Sequence, residues 1–90
     1  MRIDKDRCFR KNDHILYKEI DGAGVLVDPY RRTLVHLNPT ASQIWQLLDE
    51  AHSCTAIIKK LQAEFEVGDK ELEKDVSDVF NELFKREMIQ

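Results

Sequence analysis

The side chains best able to do chemistry in this sequence are its cysteines and histidines. His52 and Cys54 are two positions apart and could touch one metal ion, but no second ligand pair follows at the spacing of a zinc site. Cys8 lies 46 positions before Cys54, with no CxxC motif. The HExxH, GxSxG, GxGxxG and phosphate-loop signatures are also missing. We therefore expect no catalytic residue, no metal site and no cofactor, and a protein that is not an enzyme.

Three further side chains have both a structural and a functional interpretation. His36 lies in an alternating segment, where it either faces solvent or lines a binding surface on a strand. His14 precedes the first predicted strand, and the sequence around it indicates no function for its side chain. Trp45 lies in the middle of an apolar stripe on a short predicted helix, which favours a core anchor over a residue that stacks on a ligand.

The composition is typical of a small globular domain and disfavours two classes of partner. The chain has 90 residues, of which 42% are apolar and 34% charged, enough for a single core. Its 14 basic and 17 acidic residues give a net charge of -3, which disfavours binding to nucleic acid. The amino terminus lacks the apolar stretch of a signal peptide, and the longest apolar runs are far shorter than the roughly 20 residues that cross a bilayer. We expect a cytoplasmic protein with no membrane partner.

Hydrophobic alternation predicts three strands joined by tight turns. The first covers residues 15–20 and ends at Asp21-Gly22, where both residue types tolerate positive φ. The second covers 24–28 and is followed by Pro29, which cannot donate to a ladder. The third covers 33–37, with residues 33, 35 and 37 on one face and Leu34 and His36 on the other. Residues 1–12 have no periodicity and are expected to form a flexible arm that adds at most a short strand.

Three helices are predicted to follow the strands. Asn38-Pro39 combines an N-cap residue with a proline suited to the first helical position, which predicts a helix over about 39–49. Ser53 caps a second helix, in which Cys54 is a small core residue and apolar side chains recur up to Phe65, before a break at Gly68. Asp69 caps a third helix whose apolar face reaches Met88 and Ile89. The predicted fold is α+β: a three-stranded antiparallel sheet followed by a three-helix bundle, winged-helix-like, over residues 13–90.

The predicted third strand has the properties of an open sheet edge. Exposed edges are usually blunted by charge or proline, and residues 33–37 contain neither. Such an edge could receive an extended peptide, be covered, or pair with a second copy. The third helix mixes seven acidic residues with four basic ones from Asp69 onward, as expected for a solvated face.

Three blocks of the sequence resemble one known family. In order, they read GAGVLVD, LVHLNPTASQIWQLL and DVSDVFNELFKREMI. Together they are similar to the PqqD-like family, named for pyrroloquinoline quinone biosynthesis protein D, over roughly residues 13–89. The resemblance implies a sheet packed on a three-helix bundle, and a recognition element for ribosomally made, post-translationally modified peptides. Many relatives have a glycine near the end of the last helix, whereas this chain reads Arg86-Glu87-Met88-Ile89, so we expect its end to continue as helix or fray.

The resemblance also implies a site and a function. It implies a non-catalytic peptide chaperone that binds the leader segment of a precursor as a strand beside the third strand, against the third helix. The leader is then presented to a modifying enzyme, either a radical SAM protein or a peptidase. The residues implied by position are Arg32, Thr33, Leu34, Val35 and His36 on the strand, and Asp75, Val79 and Glu82 on the helix. The alternatives are a winged-helix regulator that binds DNA, and a homodimer formed by two third strands.

Overall fold

A computed structural model describes residues 4–64 and 69–90. Its elements are β1 (Leu16–Ile20), β2 (Ala23–Asp28), β3 (Thr33–Leu37), α1 (Pro39–Leu47), α2 (Cys54–Glu64) and α3 (Asp69–Lys85). The strands form one antiparallel sheet in the order β1-β2-β3. The predicted α+β class is confirmed. The predicted end of the second helix, at Phe65 and Gly68, lies outside the described residues.

Both turns of the sheet are held by residues within the turns. Asp21 and Gly22 have φ values of 53° and 81°, the left-handed pair that a type I′ hairpin turn requires. At the second turn, Oδ1 of the buried Asp28 accepts hydrogen bonds from the backbone N–H groups of Tyr30 (3.0 Å) and Arg31 (3.1 Å). The side chain of Asp28 thus holds the turn that delivers the chain into β3.

Within residues 4–64 and 69–90, the helices pack against one face of the sheet and no helix covers the other face. Leu26 and Leu37 belong to the core, and Val35 packs against it. Leu16 and Leu34 lie on the opposite face and are 47% and 60% exposed. α1 crosses the inner face closely at Gly24, where an added Cβ would lie 2.2 Å from Oγ of Ser42. The helices therefore rest on one side of the sheet, and on the other side most side chains are exposed, although Val25 in the middle of β2 is 1% exposed.

Two predicted helix caps are present. The Asn38 side chain accepts a hydrogen bond from the backbone N–H of Ala41 (2.7 Å), and Oγ of Ser53 accepts one from the N–H of Ala56 (3.1 Å). α1 ends at Leu47, two residues before the predicted Asp49. The cap assigned to Asp69 stays a prediction, because the residues before it lie outside the described ranges. Trp45 of α1 is 3% exposed, which confirms its placement in the core.

The amino-terminal segment differs from the flexible arm expected over residues 1–12. Phe9 is 2% exposed and packs edge-to-face on Phe80 and Phe84, with ring centroids 5.7 and 5.5 Å apart. Arg10 and Gln90 exchange two backbone hydrogen bonds of 2.9 Å, beside a bridge between Lys11 and Ile89. Residues 9–12 are thus part of the folded unit. The sequence did not indicate this because the residues that hold Phe9 and Arg10 in place, Phe80, Phe84 and Gln90, lie more than 70 positions away in the chain.

The carboxyl end neither continues as helix nor frays, so the expectation for Met88 and Ile89 is wrong. α3 stops at Lys85, and Glu87 takes the left-handed conformation with φ 57°. The N–H of Met88 donates to the carbonyl of Leu83 (2.9 Å) and the N–H of Glu87 to that of Phe84 (3.0 Å). These two bonds define a Schellman motif, with Glu87 in the position that glycine usually fills. The motif turns the chain so that Met88 and Ile89 are buried, at 1% and 2% exposure.

Glu87→Gly should stabilise the protein by about 1 kcal/mol relative to Glu87→Ala, because a Cβ is penalised in the left-handed region and glycine has none. Both variants remove the ion pair between Glu87 and Arg31, so the comparison isolates the backbone effect. Urea denaturation of the two variants measures the difference. A glycine variant no more stable than the alanine variant would show that the left-handed turn is not maintained in solution.

Candidate functional site

The two edges of the sheet differ in charge. β1 and β3 are its outer strands, because β2 pairs with both. β1 carries Lys18 and Glu19, which blunt its edge against pairing with another strand. β3 has neither charged side chain nor proline, and Leu34 and His36 are exposed along it. The β3 edge is the one suited to accept a further strand.

The first hairpin fixes which backbone groups of β3 point outwards. A type I′ turn places Ile20 and Ala23 in a hydrogen-bonded pair, and hydrogen-bonded and non-bonded pairs alternate along an antiparallel ladder. Val25 and Val27 therefore bond to β1, whereas Gly24, Leu26 and Asp28 bond to β3.

The register between β2 and β3 extends this assignment to the residues of β3. Leu26 lies opposite Val35, Gly24 opposite Leu37, and Asp28 opposite Thr33. These three residues of β3 thus direct their N–H and C=O groups towards β2. Leu34 and His36 direct theirs to the open edge, where they are available to another strand.

The predicted strand residues fall into three environments. Val35 is half-buried against the core, and Thr33 precedes it on the same face. Leu34 and His36 extend their side chains on the outer face, where both are exposed, as either interpretation of His36 requires. Arg32 is exposed and has φ 57°, which places it in the left-handed turn that leads into the strand.

The amino-terminal segment covers one margin of the buried stripe of α3. Nζ of Lys5 lies 3.5 Å from Oε2 of Glu73, and Phe9 packs on Phe84. The guanidinium of Arg7 lies 5.1 Å from the centroid of the Phe84 ring. Glu73 and Phe84 are eleven positions apart, close to three full turns, and so share one side of the helix.

The three predicted helix residues lie on the other margin of α3. Asp75, Val79 and Glu82 follow one another at spacings of four and three, on the side opposite Glu73 and Phe84. Val79 is half-buried against the core, and Asp75 and Glu82 are exposed. Oε1 of Glu82 accepts a hydrogen bond from Nε of Arg86 (2.7 Å). This margin has an apolar centre between two carboxylates.

A groove of about 890 Å³ lies between the turn before β3 and the last turns of α3. Tyr30 and Arg31 line one side of the groove, and Glu82 and Lys85 line the other. His14 lines it next to Tyr30. The His14 and Tyr30 rings are stacked with centroids 4.6 Å apart, and Nε2 of His14 lies 3.5 Å from Oδ1 of Asp28. Of the predicted residues only Glu82 lines this groove. Sequence reasoning missed His14, whose place is set by the Asp28 turn rather than by any local pattern.

The remaining chemical candidates form no reactive site. Cys54 is fully buried, and burial raises the pKa of its thiol to about 11, so that it stays protonated at neutral pH. His52, its proposed partner in metal binding, is exposed and uses its backbone carbonyl to accept the N–H of Phe9 (2.7 Å). Across residues 4–64 and 69–90, no three His, Cys, Asp or Glu side chains are grouped as a metal would require. No helix in the same ranges is long and apolar enough to span a membrane.

The chain belongs to the PqqD family. The family described as Coenzyme PQQ synthesis protein D (PqqD) matches residues 23–89, which include β2, β3 and all three helices. No curated protein matches the chain.

Two similar solved structures contain leader peptides. One is described as TbiB1 in complex with the TbiA(beta) leader peptide, with 27% identity, a TM-score of 0.78, and coverage of 90% of this chain and 94% of that one. The other is lasso peptide synthetase B1 complexed with the leader peptide, with 28% identity, a TM-score of 0.79, and coverage of 93% and 99%. Both similarities extend over nearly the whole of each chain.

Proposed function

We propose that this chain is a recognition protein, not an enzyme, that captures the leader segment of a ribosomally made precursor peptide as a fourth strand of its sheet. The observation that carries the proposal is the uncharged β3 edge, where the N–H and C=O groups of Leu34 and His36 point away from β2. Membership of the PqqD family and the two leader-peptide complexes support it. Main-chain bonds supply affinity in this mode, and pockets for alternate side chains supply selectivity.

The side chains beside the edge define the walls of the proposed site. Val35 on β3 and Val79 on α3 are both half-buried against the core, and in the proposed site each supplies an apolar contact to inward-pointing leader residues. Asp75 and Glu82 flank Val79; Glu82 is already paired with Arg86, so Asp75 is the carboxylate that favours a basic residue in the leader. Thr33 and Arg32 extend the site towards the turn before β3. The proposed site thus selects an apolar segment with a positive charge beside it.

The captured leader has to reach an enzyme that acts on the rest of the precursor. We assign that role to a radical SAM protein or a peptidase in the cytoplasm, with residues 13–90 and the packed segment 9–12 as the recognition domain. The cysteines Cys8 and Cys54 are both free, as a reducing compartment requires. Pairing of two β3 edges would give a homodimer that competes with leader binding. The DNA-binding alternative gains no support from α3, whose exposed side carries the carboxylates of Asp75, Asp78 and Glu82.

Isothermal titration calorimetry with the leader of a precursor encoded beside this chain should give saturable binding at one peptide per chain. The core segment of the same precursor and a scrambled leader are the matched controls, and neither should bind. Backbone bonding alone would not distinguish the three peptides, whereas the side-chain pockets would. Equal binding of leader and core segment, or no binding of any leader, would contradict the proposed function.

A further inference from the structure

An apolar row crosses the outer face of the sheet and ends at its open edge. Leu16, Val27 and Leu34 are directly registered across β1, β2 and β3. Val27 at the centre is half-buried, while Leu16 and Leu34 are 47% and 60% exposed. The neighbouring row is different in character, because Lys18 and His36 flank Val25. A single apolar row therefore reaches the edge at Leu34.

A strand added at the β3 edge would continue this row by one side chain. Residues directly opposite each other in an antiparallel ladder point to the same face, with Cβ atoms about 5 Å apart. Leu34 directs its backbone to the edge and its side chain to the outer face. The added residue opposite Leu34 must therefore lie on the outer face, in contact with the Leu34 side chain. Its immediate neighbours point inwards, towards Val35 and α3.

We propose that the leader carries an apolar residue opposite Leu34 and so extends the row Leu16–Val27–Leu34 onto a fourth strand. This inference rests on the proposed function and specifies the leader that the site selects. The position two residues away, opposite His36, lies beside the row of Lys18 and His36 and has no apolar preference. On the outer face, the chain thus selects the leader side chain at one position, opposite Leu34. This selection is independent of the inner side chains of the leader, which face α3.

The size and position of the row favour a peptide over a second folded protein. Stable interfaces bury about 800 Å² on each partner, more than three side chains in a row can supply. The row also ends at the backbone groups that the proposed leader bonds, so one strand satisfies both. An apolar side chain against Leu34 removes part of its exposed surface from water, which is worth about tenfold in affinity.

Selection from a displayed library of random peptides, each about ten residues long to span β3 with room at both ends, tests the proposal. The three baits are the wild-type chain, Leu34→Lys and Leu16→Lys. Leu16→Lys is the matched control, because Leu16 lies in the same row but two strands from the β3 edge. Both leucines are about half-exposed, so both variants should keep the wild-type circular dichroism spectrum and melting temperature.

The wild type and Leu16→Lys should enrich peptides with an apolar residue at one position of an alternating pattern. Leu34→Lys should replace that preference by Asp or Glu at this position alone, and should bind the wild-type peptides about tenfold more weakly. An unchanged preference in Leu34→Lys would overturn the inference and leave the proposed function standing. Equal losses of peptide binding in both lysine variants would overturn it, because the peptide would then contact Leu16 as well as Leu34 and could not be a strand added at the β3 edge. If the folded wild-type chain enriches no peptides, both this inference and the proposed function are wrong.

Discussion

Replacing Trp45 by alanine should lower the free energy of unfolding by about 3 to 5 kcal/mol, a large share of the roughly 5 to 15 kcal/mol that a domain has. Trp45 is 3% exposed in the middle of α1, and Nζ of Lys11 lies 4.7 Å from the centroid of its ring. The substitution therefore removes a side chain that joins the helices to the amino-terminal segment. Urea denaturation followed by far-ultraviolet circular dichroism is the suitable measurement, because Trp45 is the only tryptophan.

Thr40→Ala is the control for this substitution, since Thr40 lies on the same helix and is exposed. It should change the free energy of unfolding by no more than about 0.5 kcal/mol. If the two variants lose similar stability, Trp45 does not anchor the core, and the packing of α1 on the sheet described above is wrong.

His36→Pro should weaken leader binding by roughly fivefold to 150-fold, corresponding to about 1 to 3 kcal/mol for a leader carbonyl left without its donor. The N–H of His36 points to the open edge, so its loss breaks no bond within the sheet, and proline is tolerated on an edge strand. The melting temperature should stay close to that of the wild type. Calorimetric titration of the variant with the leader measures the effect.

Two further variants distinguish the contribution of the His36 backbone N–H to leader binding from that of its side chain and from a general loss of stability. His36→Ala keeps the N–H and should bind the leader nearly as well as the wild type. Val35→Pro removes an N–H that bonds to β2, so it should lower the melting temperature of the free protein. Wild-type affinity in a folded His36→Pro would mean that the leader does not bond to this part of the edge.

The elements that the sequence predicts well are those with local chemical causes. Asn38 and Ser53 make the hydrogen bonds expected of helix caps, and Asp21-Gly22 makes the expected turn. The third strand matches its predicted bounds, and it lies between the turn at Arg32 and the helix cap at Asn38. In each case the residue acts on atoms within a few positions of itself, so the sequence contains the whole interaction.

The features that the sequence did not predict depend on distant partners. Phe9 has no periodic neighbours, and its burial follows from rings on α3 more than 70 residues away. Glu87 carries a side chain disfavoured at positive φ, and it is held there because Met88 and Ile89 are buried beyond it. Local propensity gives no warning of either.

The candidate site also combines features that the sequence shows with features that only the structure shows. The absence of charge from β3 is visible in the sequence and marks the edge. Which amides of β3 face outwards is not visible, because alternation fixes side chains and leaves the bonding partner of each N–H open. The hairpin register resolves this by placing Leu34 and His36 outside and Val35 inside. The margin of α3 left uncovered by the amino-terminal segment follows from Phe9 and Lys5, whose positions needed the structure.

Amide hydrogen exchange, resolved by residue with and without the leader, tests strand addition most directly. The central claim predicts that the amides of Leu34 and His36 exchange rapidly in the free protein and become protected in the complex. Thr33, Val35 and Leu37 should change little, because β2 already holds their amides. Protection that appears instead at Tyr17 and Glu19 on the outer edge of β1, or only within α2, with none gained at Leu34 and His36, would contradict the claim even if the leader binds.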